Sequence, residues 1–212
     1  MSKLLHEESY RGAAEVAKLA ALRVVLCGAG ALGSNLADNL TRQGFGKLRV
    51  IDKDRIEEHN VSTQLYGISE VGVWKVEALR NRVFRGAGVE IEAERKELTD
   101  RTAGALLKDA DVIVDTFDNS ASRKLVQEQA RQMGKPCLHV GVNADYAEVI
   151  WDEGYRVPRD VGVDVCDYPL ARNLVLLAVA IASETLVGFA AEGARRDWAV
   201  TLRDLKISRF GE

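Results

Sequence analysis

The run Gly28-Ala29-Gly30-Ala31-Leu32-Gly33 directly follows an apolar stretch, Leu22-Arg23-Val24-Val25-Leu26-Cys27. That order predicts a strand, a tight glycine turn and a helix. The first glycine permits the turn, the second lets a phosphate approach bare backbone, and the third lets the helix pack closely on the strand. Unpaired N–H groups and the dipole at the helix start, near Ala31 to Ser34, attract negative charge. An acidic residue, Asp52, closes the next apolar run, Leu48-Arg49-Val50-Ile51. It lies about 20 residues beyond the last glycine, where a carboxylate accepts hydrogen bonds from ribose hydroxyls. The pattern predicts nucleotide binding and leaves NAD and ATP both open.

At 212 residues with a net charge of −3, the chain has room for one substantial core and no clustered basic surface of the kind a polyanion needs. Nucleic acid is not an expected partner. Only Cys27, Cys137 and Cys166 are present, without a CxxC pair, so neither a disulfide framework nor a structural zinc site is expected, and a reducing cytoplasm fits. Met1 to Leu22 reads as an amphipathic helix, because Glu7, Glu8, Arg11, Glu15 and Lys18 interrupt any apolar core of a secretion signal. The apolar stretch Leu174 to Ala182 is too short to span a bilayer and reads as a buried helix, so no membrane is expected.

The rest of the chain alternates strands with helices. A helix over Leu36 and Leu40 ends near Gly44 and Gly46, and a polar loop, Lys53 to Glu70, leads to a helix around Lys75 to Phe84. Alternation in Val89 to Ala93 suggests a half-exposed strand, and Asp100 caps a helix over Arg101 to Lys108. Asp111 to Asp115 is a short buried strand that delivers Thr116, Phe117 and Asp118 to the same rim as the glycine turn. A helix from Ser120 to Met133, strands over Pro136–Val140 and Ala147–Trp151, a long loop from Asp152 to Pro169, a helix from Leu170 to Phe189 and a strand over Trp198–Leu202 complete the pattern. The expected fold is α/β, a Rossmann-like doubly wound, mostly parallel sheet with helices on both faces and a short C-terminal helix-strand extension. Residues 1–21 form an N-terminal helix, 22–151 the nucleotide-binding unit, and 152–212 the loop and extension of the same domain.

Between the strands the chain reads Asp54-Arg55-Ile56-Glu57-Glu58-His59-Asn60-Val61-Ser62-Thr63-Gln64, then Gly72-Val73-Trp74-Lys75, then Asp115-Thr116-Phe117-Asp118-Asn119. This set resembles the ThiF/MoeB/HesA family, the ubiquitin-activating-enzyme-like adenylyltransferases, from about Leu22 to Ile150. The resemblance implies ATP-dependent activation of the C-terminal carboxylate of a ubiquitin-like or sulfur-carrier protein ending in Gly-Gly, with Mg²⁺, in a homodimer. It implies Gly28, Gly30 and Gly33 at the nucleotide, Asp52 on the ribose, and Asn60 and Gln64 beside the phosphates. Lys75 becomes the phosphate-facing cation and Asp118 the Mg²⁺ ligand. Two features depart from the family pattern. Thr63 stands where the family usually has arginine, with Arg123 one candidate to compensate, and the arginine often supplied by a partner subunit has Arg11 as its nearest counterpart. Cys166, in the long loop, is the candidate thiol for an activated carboxyl, although Asp164 and Asp167 would raise its pKa. The strand near Ala147 to Trp151 is a candidate guide for the carrier tail. His139 reads as a satisfied core histidine. The alternatives are a non-catalytic nucleotide-binding scaffold of the same fold and an NAD-dependent oxidoreductase, the latter lacking a Tyr-x-x-x-Lys pair.

Overall fold

The computed structural model describes residues 2–159 and 169–211. Strand β1, Arg23–Cys27, sends Val24 and Leu26 to one side of the sheet and Val25 and Cys27 to the other, as the two-residue period of a strand requires. Both sets are fully buried, so both faces must be covered. On the first face lie α3 (Ala31–Gln43), α4 (Lys75–Ala87) and α7 (Arg172–Glu192), with Leu19 of α2 (Ala13–Ala21) added to the same core. On the second lie α5 (Asp100–Leu107) and α6 (Ser120–Gln132).

The strands form one eight-stranded sheet. With β2 (Lys47–Ile51), β3 (Glu92–Glu94), β4 (Val112–Asp115), β5 (Cys137–Asn143), β6 (Tyr146–Trp151), β7 (Trp198–Thr201) and β8 (Lys206–Arg209), the order is β3-β2-β1-β4-β5-β6-β7-β8. The first five in space are parallel and the last three join by antiparallel pairings. The order turns back between β1 and β4, and a parallel sheet opens a ligand crevice outside the carboxyl ends of its strands at that switch. The glycine turn leaves β1 there, and the turn from Thr116 to Asn119 leaves β4 beside it.

The mostly parallel, doubly wound architecture matches the expectation, with local differences. The N-terminal segment is not one helix. Gly12, at φ +90°, divides α1 (Leu5–Arg11) from α2. The strand expected over Val89–Ala93 is shorter and shifted to Glu92–Glu94, the stretch in register with β2. The cap of α5 is Thr99, whose hydroxyl accepts from the Thr102 N–H, while Asp100 is already helical. The C-terminal extension carries two strands instead of one, β7 pairing with β8. β6 is flanked by β5 and β7, so neither edge is open for a peptide to add to it as a strand. Helix α7 spans Arg172–Glu192 where Leu170 to Phe189 is expected, and the whole 21-residue helix, unlike the stretch Leu174 to Ala182 alone, is long and apolar enough by length and composition to cross a membrane. Here Leu174, Val175, Ala178, Ala182 and Leu186 are buried in the first-face core.

Candidate nucleotide site at the sheet switch point

The glycine turn is held from three sides. The Gly28 N–H donates to the Ile51 carbonyl at 2.9 Å, the Ala29 N–H donates to Asp52 Oδ2 at 2.7 Å, and the Tyr66 hydroxyl donates to the Ala29 carbonyl at 2.8 Å. Gly28 sits at φ +110°, which an L side chain rarely adopts. A methyl group on Gly33 would lie 2.8 Å from the Gly28 carbonyl carbon and 2.8 Å from Thr116 Oγ1, so only glycine lets α3 pack this closely. A methyl group on Gly30 would meet nothing within 4 Å. The middle glycine therefore opens on free space at the start of α3. Helix α3 has no side-chain cap there, leaving its first N–H groups available to an anion.

Asp52 lies almost fully buried at the end of β2 and takes backbone N–H groups on both oxygens, Ala29 on Oδ2 and Asp54 on Oδ1, each at 2.7 Å. Each oxygen keeps a further acceptor position for a hydroxyl. Burial pushes its pKa up, opposed by Lys75 and by those two N–H groups. Lys75, the first residue of α4, is 9% exposed, with Nζ 3.5 Å from Asp54 Oδ2. The bend before it depends on Gly72, at φ +88°. Beside Lys75, Trp74 lies between the guanidinium groups of Arg55 and Arg95, 3.8 and 4.5 Å from its ring centre.

The loop over α3 carries the two amides. Asn60 is buried and its Oδ1 accepts the Glu57 N–H at 2.9 Å, closing a short 3-10 turn over Glu58–Ser62. Asn35, in the first turns of α3, donates from Nδ2 to the Thr63 carbonyl at 2.9 Å, and the Leu65 N–H donates to Ser34 Oγ at 3.1 Å. These bonds seat Thr63 and Gln64 on the start of α3, and the Gln64 Oε1 is buried there without a hydrogen-bond partner among the described residues. Across the crevice, Asn119 caps α6 by accepting the Ser122 N–H at 2.9 Å. Capping falls to Asn119, which leaves Asp118 exposed, with Asn119 Nδ2 3.3 Å from its Oδ1.

Beneath that turn lies a buried polar network. Asp115 and His139 are both fully buried, with His139 Nδ1 2.9 Å from Asp115 Oδ2 and the other oxygen of Asp115 accepting the Phe117 N–H at 3.1 Å. Tyr155 stacks on the His139 ring at 3.8 Å. Arg123 donates to the Tyr155 hydroxyl and the Val140 carbonyl, each at 2.9 Å, and stands 3.8 Å from Asp115. Burial opposes its charge, but Asp115 and Tyr155 more than offset this and raise its pKa. Burial is also the main reason the Tyr155 hydroxyl is pushed up to about 12.

The glycine turn, Asp52, Lys75 and the Asp118 turn are contributed by separate stretches of chain that meet at one crevice. The sequence model of the ThiF family matches residues 4–151. This chain belongs to the ThiF family. An adenylyltransferase and sulfurtransferase of Anopheles gambiae is 36% identical over 123 residues, 57% of this chain and 28% of that protein. The probable adenylyltransferase/sulfurtransferase MoeZ of Mycobacterium tuberculosis is 30% identical over 152 residues, 69% of this chain and 38% of that protein. The sulfur carrier protein adenylyltransferase of Thermus thermophilus is 35% identical over 117 residues, 54% of this chain and 43% of that protein. The ThiF-family chain thus spans under half the length of these relatives. Among solved structures, E. coli MccB with ATP superposes with a TM-score of 0.80 over 97% of this chain and 68% of that one, at 19% identity. PaaA superposes at 0.74 over 92% and 65%, at 21% identity. At these identities the likeness establishes the fold.

Within this ThiF-family fold, several expected residues do not meet at the crevice. Arg11 is turned to α7, bonded to Glu184 through two nitrogens at 3.0 and 2.7 Å and to Glu7 at 2.7 Å, so its donors are taken by carboxylates of its own chain. Arg123 cannot replace the arginine missing at Thr63, because its guanidinium is buried under β4 and β5. Cys166 lies outside the described residues. Cys27 and Cys137 are buried thiols whose pKa burial pushes well up, as packing residues would be. Tyr66 escapes the sequence reading, which places Thr116 on the rim and Asp54 in a motif but gives neither a role. Tyr66 is the only aromatic residue of the Phe, Trp and Tyr kind between Asp52 and Trp74, and that is the available signal. Thr116 and Asp54 act mainly through backbone-directed contacts that no spacing rule reveals.

Proposed function

We propose that this chain binds ATP at the glycine turn and adenylates the C-terminal glycine carboxylate of a ubiquitin-like or sulfur-carrier protein. The observation that carries this reading is the meeting of an open Gly30, buried Asp52, buried Lys75 and exposed Asp118 at the crevice between β1 and β4. The names of the relatives, adenylyltransferases of the same family, support it. Asp52 accepts the ribose hydroxyls, the first N–H groups of α3 face the phosphates, and Lys75 neutralises charge as it develops.

Mg²⁺ fits the donors present. Magnesium typically takes one or two carboxylates and completes its shell with substrate phosphates and water, and Asp118 offers one exposed carboxylate. No cluster of three metal-ligating side chains exists among the described residues, so the phosphates must supply much of the shell. Bound there, the ion would screen the charge of the triphosphate. In the step itself, a carboxylate oxygen of the carrier attacks the α-phosphorus of ATP. The bond from that phosphorus to the bridging oxygen of the β-phosphate breaks, giving an acyl adenylate and pyrophosphate. The attacking carboxylate is already ionised at neutral pH, so no general base is required.

A homodimer suits the surface of α7. Leu176, with Leu177 and Ile181, lies beside Leu205 and Ile207 of the β7–β8 region, forming an apolar face that a second copy would cover. A cytoplasmic location suits the unpaired buried thiols.

The test is ATP–pyrophosphate exchange with purified carrier proteins ending in Gly-Gly from neighbouring genes. Exchange that requires one such carrier and is lost in Lys75→Ala is the expected result. Bound ATP with no exchange for any carrier would refute adenylation and leave a nucleotide-binding scaffold.

A further inference from the structure

Between Arg55 and Lys75 the chain carries no lysine or arginine, Thr63 standing where an arginine is expected, and the fold delivers a cation from far along the chain, Arg172. Arg172 is the first residue of α7, and its Nη1 lies 3.5 Å from the carbonyl oxygen of Ser62, the neighbour of Thr63. That contact is at the limit of hydrogen-bond distance and uses one of five N–H donors. The side chain is exposed and forms no ion pair among the described residues.

Helix direction strengthens the placement. Near the start of α3, Asn35 holds the Thr63 carbonyl, and Arg172 at the start of α7 reaches the adjacent Ser62. Further along both helices, Asn39 Nδ2 donates to Ser183 Oγ at 2.7 Å. Two such links at matching ends mean that α3 and α7 run in the same direction, with both N-termini at the crevice. Neither helix has a side-chain cap. The positive ends of a 13-residue and a 21-residue helix therefore face one region, with buried Lys75 across it.

We propose that Arg172 is the second phosphate-facing cation of the site, holding the β- and γ-phosphates of the nucleotide in the place that Thr63 leaves vacant. This rests on the reading of the crevice as an ATP site. A guanidinium presents paired N–H donors that match two phosphate oxygens, and it stays charged at any working pH. Because Arg172 approaches over Ser62 and not over Asp52, it serves the terminal phosphates and not the nucleoside. It therefore favours ATP and pyrophosphate over AMP.

The experiment is isothermal titration of the full chain with ATP, inorganic pyrophosphate and AMP, in the wild type, Arg172→Ala, Lys75→Ala and the double variant Thr63→Arg/Arg172→Ala. The expected result is that Arg172→Ala weakens ATP and pyrophosphate by about tenfold or more while AMP affinity holds, and that Thr63→Arg restores ATP binding in the double variant. Equal losses for ATP and AMP would overturn the proposal, because they would make Arg172 a tether of the Ser62 loop. Unchanged ATP affinity in Arg172→Ala together with a loss in Lys75→Ala would also overturn it, while leaving the ATP reading intact. A wild-type chain that binds neither ATP nor pyrophosphate would remove that reading and the proposal with it.

Discussion

Two glycines three residues apart in the same turn should respond to alanine in opposite ways, because one faces backbone and the other faces open space. At Gly33 the added methyl would press on the Gly28 carbonyl and on Thr116 Oγ1, both at 2.8 Å or closer. Thr116 Oγ1 is itself tied to the Cys27 carbonyl at 2.9 Å, and the Gly28 carbonyl is main chain, so neither can rotate away. Relief requires α3 to move off β1. Overpacking of a tight site costs about 1–3 kcal/mol, and immovable neighbours put this case near the upper value, about 3 kcal/mol. For a chain of this size, that lowers Tm by roughly 6–12 °C. At Gly30 the methyl meets nothing, and φ is −76°, comfortable for alanine. Reduced entropy of the unfolded chain favours the variant by about 0.4–1 kcal/mol, while alanine is a poorer residue than glycine before a helix, so stability should stay within about 1 kcal/mol. The same methyl would occupy the space through which a phosphate approaches the first N–H groups of α3, weakening ATP by at least tenfold, about 1.4 kcal/mol. Differential scanning calorimetry and ATP titration on both variants separate the two effects. Wild-type ATP affinity in Gly30→Ala would refute the phosphate placement, and a wild-type Tm in Gly33→Ala would refute the packing argument.

The other consequences concern charges away from the open crevice. Arg123→Met should cost about 3–5 kcal/mol in urea unfolding, because it strips a buried partner from Asp115, and a loss under about 1 kcal/mol would show that His139 alone suffices. Arg11→Ala should lower stability by about 1 kcal/mol, since Glu184 is well exposed and the pair is screened, and it should leave ATP affinity of the chain unchanged. Glu148→Gln addresses a carboxyl whose pKa is raised, mainly by burial and against the pull of Arg123 and His139. A raised carboxyl penalises the folded state at neutral pH, and that penalty disappears as pH falls through the folded-state pKa and then the lower unfolded one. The variant should therefore be more stable than wild type in urea unfolding at neutral pH, with the advantage shrinking on acidification. An advantage that grew in acid would reverse the assignment.

The elements that carry the nucleotide reading are legible in the sequence because their signals are local. Glycines at fixed spacing, an acidic residue ending an apolar run, and Gly44 at a helix end each act within a few residues. The β5–β6 hairpin is not legible there, because its turn, Asn143 to Tyr146, contains no glycine and places Ala144 at φ +53°. Hairpin turns of this length are usually announced by Asn-Gly or Asp-Gly. Strand β8 is short and largely exposed, so its residues carry no burial period to read. Arg123 and Arg172 look alike in the sequence, each a charged residue near the start of a helix. Only the packing of α6 over His139 and Tyr155, and of α7 beside α3, separates a buried structural cation from an exposed one at the crevice.

Asp115 joins the buried network to the crevice with a single carboxylate. Its Oδ2 meets His139 while its Oδ1 receives the Phe117 N–H, and Phe117 is the residue directly before Asp118. The turn that presents Asp118 is therefore fixed at its base by a group with no exposure to solvent, and Asn119 fixes its other end by capping α6. The exposed Asp118 carboxylate, whose one hydrogen bond among the described residues comes from Asn119 Nδ2 at 3.3 Å, can meet a cation without rebuilding the turn, which is the condition for a preorganised site. His139 is fully buried, bonded through Nδ1 to Asp115 and stacked by the Tyr155 ring, but its Nε2 has no hydrogen-bond partner among the described residues, so it is half satisfied where the sequence predicts a satisfied core histidine.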